Sequence, residues 1–196
     1  MSELLAIGIS HKTAHVAMRE RVALTDREAE RFMRELVAHE EVREAVAIST
    51  CNRTEVYIVT SDPVHAEAEL LGKLAQRAQI RPTELVDVVY SPRNCDAARH
   101  LFRVTSGLES MIVGESEVQG QVRRAYELAL AAGTTGPFTN RLFRAALQTG
   151  KRVRSYHAVN MVMALSFAPD GRRFVTVANG ALTISSGMLM VYPANT

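Results

Sequence analysis

The chain has 196 residues, 47% of them hydrophobic, and a formal net charge of +2 at pH 7. This length and composition allow one substantial core, or one domain with an appendage. The net charge is too small to indicate a nucleic-acid-binding protein, so any such surface must come from locally clustered basic residues. No stretch approaches the roughly 18 consecutive apolar residues of a membrane span.

The N-terminus and the cysteines bear on the compartment and on metal binding. The start, MSELLAIGISHK, has an acid where a signal peptide carries basic residues, and its apolar run is short. Two cysteines, Cys51 and Cys95, cannot build a disulfide framework, and no Cys-x-x-Cys or clustered Cys/His spacing indicates zinc. We therefore expect a cytoplasmic protein with a free thiol at Cys51 and no metal site.

The first sixty residues alternate between strand and helix signals. Residues 4–10 form a short apolar run, followed by a polar loop in which His11 and His15, taken alone, are expected to be solvated. Residues 25–28, TDRE, form a capping box that predicts a helix start. The run at 56–59 shows no polar alternation, which is typical of a strand covered on both faces.

The next thirty residues complete the predicted fold. Asp62-Pro63 predicts the start of a helix, Arg81-Pro82 its end, and Leu85 to Tyr90 a further strand. The resulting order β-α-β-β-α-β predicts an α+β fold, an antiparallel sheet with helices packed on one face, followed by more helices.

A cysteine interrupts two of the predicted strands. AVAIS (45–49) and VYIVT (56–60) flank the polar segment 50–55, which places Cys51 at the mouth of a sheet. Arg53, two residues on, supplies a cation that can stabilise a thiolate, the form that attacks carbonyl carbon. The pattern alone also allows a half-buried cysteine at a strand end.

From residue 96 the pattern becomes helical. His100 lies at the edge of an apolar stripe, where a histidine taken alone is more often a packing residue than a catalyst. The glycines of the segment 107–115 permit close backbone approach to a ligand. Residues 116–119, SEVQ, form a second capping box, whose helix either binds an anion at its N-terminus or is capped without a ligand.

Basic residues then accumulate. No Asp or Glu occurs between residues 128 and 169, and the spacing of Arg141, Arg144 and Lys151 places them on one helix face, with Arg152 and Arg154 nearby. This stripe can neutralise RNA phosphates, or it can be an ordinary solvated face.

The last forty residues differ in kind. Four apolar runs are separated by the turn signals Pro169-Asp170-Gly171, Asn179-Gly180 and Ser186-Gly187, which predict a β-meander. A disordered tail and the product of a shifted reading frame remain open alternatives. We therefore expect a domain over 1–155 and a tail over 156–196.

Four segments in order carry a family resemblance: GISHKTA, STCNRTEVY, HLFRVTSGLESMIVGESEVQGQV and LFRAALQTGKRVRS. Over about residues 4–155 the chain resembles the N-terminal half of glutamyl-tRNA reductase. In that family a cysteine attacks the ester that joins glutamate to its tRNA, and NADPH reduces the resulting thioester to glutamate-1-semialdehyde, the first step of tetrapyrrole (porphyrin, heme) biosynthesis.

The resemblance implies roles for individual residues. The nucleophile falls on Cys51 and the activity-critical histidine on His100. We expect Arg53 to suit the substrate carboxylate and Glu115 its α-ammonium group; Glu117 stands where many relatives have glutamine. The implied substrate-binding residues are Thr50, Asn52, Arg53, Ser110, Glu115, Ser116, Glu117 and Gln121, and the candidates for tRNA contact are Arg141, Arg144, Lys151, Arg152 and Arg154.

The chain also departs from the family. Family members continue with an NADPH-binding domain and a helical dimerisation domain, through which they form homodimers, and an aminomutase is a possible downstream partner. Here no GxGxxG follows a strand, so we expect no cofactor-binding residues in this chain and only the thioester half of the reaction. The alternative is a non-catalytic module that binds tRNA or a protein through the basic helix 141–154.

Overall fold

The computed structural model describes residues 2–112, 115, 117–154, 162–167, 174–178, 181–185 and 189–192, with side chains up to residue 149. The chain divides into two compact units, Met1–Lys151 and Arg152–Thr196. In chain order, the elements up to residue 154 are β1 (Glu3–Ser10), α1 (Val16–Val22), α2 (Asp26–Val37), β2 (Val42–Thr50), β3 (Arg53–Thr60), α3 (Pro63–Ala78), α4 (Pro82–Val86), α5 (Asn94–Thr105), α6 (Glu117–Ala132) and α7 (Pro137–Arg154).

The first three strands form an antiparallel sheet in the order β1-β3-β2. All eight residues of β3 are buried, so this central strand is covered on both faces, as its unbroken apolar run predicts. Tyr57 packs edge-on against Phe143 of α7, with ring centroids 5.5 Å apart, and Glu55 on the same face bonds to α5. The predicted antiparallel sheet with helices is confirmed, and α5 and α7 both contact the face that carries Glu55 and Tyr57.

The strand predicted over Leu85 to Tyr90 is wrong. Pro82 does not end a helix but begins the short helix α4, whose N-terminus is closed by a hydrogen bond from the Arg81 backbone N–H to the Glu84 carboxylate at 3.0 Å. Helix α3 had already ended at Ala78, and Gln79 follows in the left-handed conformation with φ 54°. In the described residues of this segment, Tyr90 alone pairs with β1, through a bridge to Gly8. A proline at the first helical position outweighed the β-prone side chains that follow it.

The predicted starts of α2 and α3 are confirmed. The Glu28 carboxylate accepts hydrogen bonds from the backbone N–H and the hydroxyl of Thr25, at 2.9 and 2.7 Å. The Thr25 backbone N–H, the Thr25 hydroxyl and Arg77 lower the pKa of Glu28 to about 2. Asp62 caps α3 by accepting the N–H groups of two residues in its first turn, each at 3.1 Å.

Helix α6 begins where residues 116–119 predict a helix start, and the capping box predicted there needs Ser116 as its N-cap. Ser116 lies outside the described residues, and α6 begins at Glu117. Gln119 is buried, and its side-chain amide donates to the Leu147 carbonyl of α7 at 2.8 Å. Gln119 therefore joins α6 to α7, and its capping contact with Ser116 stays a prediction.

A buried glutamate of the sheet caps helix α7, which the sequence did not predict. The carboxylate of Glu44 accepts the N–H groups of Gly136, Phe138 and Thr139 at 3.1, 3.2 and 2.7 Å, and the Thr139 hydroxyl at 2.7 Å. A Cβ at Gly136 would lie 2.6 Å from this carboxyl group, so glycine is needed for the close approach. The start of α7 is thereby held to β2.

The second unit contains an antiparallel sheet of four strands that pair in chain order: β4 (Val162–Phe167), β5 (Phe174–Ala178), β6 (Ala181–Ser185) and β7 (Leu189–Tyr192). They coincide with the four apolar runs of the sequence. Among the described helices, none has both the length and the apolar character that a membrane crossing requires.

Candidate active site

Cys51 lies at the tip of the hairpin between β2 and β3. The register pairs Thr50 with Arg53, so Cys51 and Asn52 are the two central residues of the turn. The Thr50 hydroxyl oxygen accepts the backbone N–H groups of Asn52 and Arg53, both at 3.2 Å. Cys51 is exposed, so the alternative of a half-buried cysteine is wrong, and the thiol is open to a large substrate.

Two segments from the start of the chain hold this tip in place. The His11 backbone N–H donates to the Asn52 carbonyl at 2.9 Å, and Arg19 Nε of α1 donates to the Cys51 carbonyl at 3.2 Å. Burial and the charge of Arg53 lower the pKa of His11, which is half-buried and not solvated as expected; His15 is exposed. The sequence contains no signal for Arg19, because its contact spans 32 residues.

Arg53 begins β3 and is almost completely buried, with 2% of its surface exposed. Its Nη1 donates to Glu55 Oε1 at 2.8 Å, and its Nη2 donates to the Glu109 carbonyl. Although burial alone would lower the pKa of Arg53, the charge of Glu55 raises it. The guanidinium is thus paired with a carboxylate inside the fold, and its contact with substrate stays a prediction.

Glu55 is the centre of a buried polar cluster that the sequence did not predict. Its Oε1 accepts from Arg53, from the Tyr90 hydroxyl at 2.6 Å and from His100 Nε2 at 3.0 Å, and its Oε2 accepts from the Tyr57 hydroxyl at 2.7 Å. Burial alone would raise the pKa of Glu55, but the hydrogen bond and charge of His100 and the charge of Arg53 lower it to about 2. Glu55 is therefore an ionised carboxylate, and both of its oxygens accept hydrogen bonds from protein groups.

This cluster fixes the orientation of His100. Since an ionised carboxylate only accepts hydrogen bonds, the proton lies on Nε2 and the Nδ1 nitrogen is the one left for other partners. The Tyr90 ring packs against the imidazole with centroids 5.1 Å apart. The described hydrogen bonds connect His100 to the hairpin through Glu55 and Arg53. His100 is thus both a packing residue and part of the site.

A second ionic group lies beyond Arg53, at the end of α5. The Glu109 carboxylate pairs with Lys12 and Arg103, and its carbonyl accepts from Arg53. Burial alone would raise the pKa of Glu109, but its hydrogen bonds to Lys12 and Arg103 lower it. The next residue, Ser110, is 5% exposed, and its hydroxyl has no hydrogen-bond partner among the described residues. A buried hydroxyl of this kind can bind a ligand without first breaking a bond to the protein.

The remaining predicted residues are divided between two places. Thr50 and Gln121 line a cavity of about 170 Å³ together with Arg124. Glu115 is half-buried in the loop before α6, and Glu117 is exposed at the first position of that helix.

Two residues of the predicted basic stripe are exposed on α7. These are Arg141 and Arg144, and Arg144 Nε donates to the Tyr126 hydroxyl at 3.2 Å. Lys151, Arg152 and Arg154 belong to the same helix, but their side chains lie outside the described part.

Comparison with known proteins identifies the family of this chain. Residues 7–157 match the family model described as Glutamyl-tRNAGlu reductase, N-terminal domain. The chain is 46% identical over 153 residues to the glutamyl-tRNA reductase of Rubrobacter xylanophilus, covering 78% of this chain and 35% of the relative. It is 42% identical over 155 residues to that of Pseudomonas aeruginosa, covering 79% and 36%.

A solved structure shows the same likeness. Glutamyl-tRNA reductase from Methanopyrus kandleri superimposes with a TM-score of 0.65 at 35% identity, covering 81% of this chain and 36% of that one. The chain therefore spans little more than a third of the length of these relatives. The sequence motifs, the fold and the matched range agree, and the chain belongs to the glutamyl-tRNA reductase family, whose N-terminal domain it contains.

Proposed function

We propose that this chain carries the acyl-transfer half of a glutamyl-tRNA reductase, with Cys51 as the nucleophile. The observation that carries the proposal is an exposed thiol at the tip of a two-residue turn whose backbone is held by Thr50, His11 and Arg19. Restricting a nucleophile in this way lowers the entropy lost when it meets its substrate. The family supplies the substrate class, an aminoacyl ester of tRNA.

The proposed step is a transfer of the glutamyl group from oxygen to sulfur. The Cys51 thiolate, whose proton has passed to solvent, attacks the ester carbonyl carbon, so that a C–S bond forms. The C–O bond to the tRNA ribose breaks, and the ribose oxygen takes up a proton as the tRNA leaves. Without a reductant, water slowly hydrolyses the thioester, which releases glutamate and restores the thiol.

The buried cluster behind the hairpin positions this nucleophile. Arg53 is held between Glu55 and the Glu109 carbonyl, which fixes the first residue after the turn. Arg53 is the proposed partner of the substrate carboxylate, through guanidinium N–H groups other than those used in these two contacts. The Ser110 hydroxyl, which is buried and unpartnered in the described part, supplies a further polar contact for the glutamyl group. Glu115 is the proposed partner of its α-ammonium group.

The described residues do not fit a dinucleotide cofactor. Both sheets are antiparallel, whereas a dinucleotide-binding unit joins parallel strands and places the pyrophosphate at a glycine-rich loop before a helix. Hydride transfer from NADPH is therefore assigned to none of these residues.

Deacylation of glutamyl-tRNA without NADPH tests the proposal. We expect the full chain to release glutamate and the Cys51→Ser variant to do so at least about 100-fold more slowly. Cys95→Ser is the matched control, because Cys95 is also an exposed free cysteine, and it should leave the rate unchanged. Undiminished deacylation by Cys51→Ser would refute the proposal.

A binding module that acts through α7 is the second candidate function. Arg141 and Arg144 are exposed, and the first turn of α7 contains no acidic residue. If Arg141 contacts a phosphate, Arg141→Gln should weaken tRNA binding and reduce the slope of log K against log salt by about 1. Salt-dependent binding together with deacylation that does not depend on Cys51 would favour the module over the enzyme.

A further inference from the structure

Two histidines and two glutamates meet at the end of β2 that is opposite to Cys51. His39 lies in the turn after α2, and Glu41 immediately precedes β2. His65 and Glu69 lie one turn apart on α3, at positions i and i+4, and therefore share a helix face. The nine residues of β2, about 30 Å when extended, separate Glu41 from the hairpin tip. This group is thus distinct from the proposed acyl-transfer site.

The ligand atoms of this group converge. One atom each from Glu41, His65 and Glu69 lie within 4.8 Å of one another. His65 Nε2 is 3.5 Å from Glu41 Oε2, and His39 Nε2 is 2.7 Å from Glu69 Oε1. Tetrahedral Zn²⁺ with bonds of about 2.0–2.2 Å places its ligand atoms about 3.3–3.6 Å apart. The His65–Glu41 pair already has this spacing, and His39 joins the group through its contact with Glu69.

The local charge also favours a cation. Glu41 and Glu69 bring two carboxylates together, and Lys73 Nζ lies 3.6 Å from Glu69. Among the described contacts of these two carboxylates, the one with Lys73 involves a side chain that is always positively charged at neutral pH. The imidazoles can supply neutral nitrogen ligands, so the group keeps a net negative charge, which favours a cation.

We propose that His39, Glu41, His65 and Glu69 form a binding site for a divalent ion of the Zn²⁺ type, which links the turn between α2 and β2 to helix α3. Two imidazole nitrogens and two carboxylate oxygens are a donor set that Zn²⁺ accepts in four-coordinate geometry. Cysteine-based spacing does not predict this set, because its members come from two segments, the turn 39–41 and helix α3, that only the fold brings together. Its one local signal is the pair His65 and Glu69 on α3.

Metal titration of the full chain tests this proposal. The protein is freed of metal with a chelator, carries Cys51→Ser and Cys95→Ser so that thiols cannot bind, and is titrated calorimetrically with ZnCl₂. We expect one equivalent to bind, and either His65→Gln or Glu69→Gln to weaken binding by about tenfold or more. His15→Gln, which alters an exposed histidine at the start of α1, is the matched control and should leave binding unchanged.

Two further measurements separate a specific site from adventitious binding. Co²⁺ bound to the same protein should give the intense visible absorption of a four-coordinate site, and His65→Gln should abolish that absorption. Zn²⁺ should raise the melting temperature of the parent protein but not that of the Glu69→Gln variant. Absence of binding, or binding that persists in both variants, would overturn the proposal.

Discussion

Replacing Glu55 by glutamine tests whether one buried carboxylate holds the candidate site together. Glu55 has no exposed surface, and folding lowers its pKa from 4.5 to about 2. A carboxyl group shifted by that amount stabilises the folded protein by about 3 kcal/mol at neutral pH. The substitution also leaves the buried cation Arg53 without its charged partner. Loss of one partner of a buried ion pair costs about 3–5 kcal/mol, which is of the same magnitude.

The pH dependence gives this prediction a second, independent signature. Because the folded pKa of Glu55 is depressed, its stabilisation is complete above pH 4.5 and is lost as the pH falls from there towards 2. We therefore expect the Glu55→Gln variant to be less stable than the parent by about 3 kcal/mol at pH 7 and by only about 1 kcal/mol at pH 3.

Urea unfolding followed by far-ultraviolet circular dichroism measures this difference, since the helical signal of the described elements comes from α1 to α7. Glu30→Gln is the matched control: Glu30 pairs with Arg34 at 2.8 Å on the partly exposed surface of α2, and its loss should cost less than about 0.5 kcal/mol. A Glu55→Gln penalty below about 1 kcal/mol at pH 7, or one that is equal at both pH values, would refute the reasoning.

Two further substitutions test the packing around the site and the start of α7. Gly8→Ala would place a Cβ 2.7 Å from Glu55 Cγ and should lower the free energy of unfolding by about 1–3 kcal/mol, whereas Gly72→Ala in open space on α3 should raise it by about 0.5–1 kcal/mol. Equal effects of these two changes in urea unfolding would contradict the packing argument. Glu44→Ala leaves three N–H groups of α7 without their acceptor and should cost about 2 kcal/mol, with faster hydrogen exchange in the first turn. The exposed Glu40→Ala should change neither quantity, and unaltered exchange in Glu44→Ala would show that this cap is dispensable.

Local sequence signals predicted the elements that depend on neighbouring residues. The starts of α2 and α3 follow from side chains that bond to backbone groups two or three residues away, so a short window contains the whole interaction. The buried central strand follows from an uninterrupted apolar run. The strand prediction at Leu85 to Tyr90 was wrong because it too relied on a short stretch of sequence. A proline such as Pro82 occurs both at the end of a helix and at the first position of the next one, and the neighbouring residues do not distinguish the two.

The candidate site could be predicted only in part. A cysteine within a polar break between two strand patterns indicates an accessible turn, and the structure places Cys51 there. Strand alternation also implies that Arg53, Glu55 and Tyr57 share a face. The role of Glu55 could not be inferred, because the hydroxyl of Tyr90 and the imidazole of His100 reach it from 35 and 45 residues away.

The sequence alone determined the family resemblance, the antiparallel sheet, the helix starts with local caps and the position of the thiol. The tertiary structure decided which partners the charged groups have: Arg53 pairs with Glu55, Glu109 pairs with Lys12 and Arg103, and Glu44 accepts backbone N–H groups at the start of α7. The physical reason is the short distance over which these interactions act. Hydrogen bonds and ion pairs act over a few ångströms of space, whereas a sequence pattern records only the spacing along the chain, and in this protein the partners that shape the site are joined by folding.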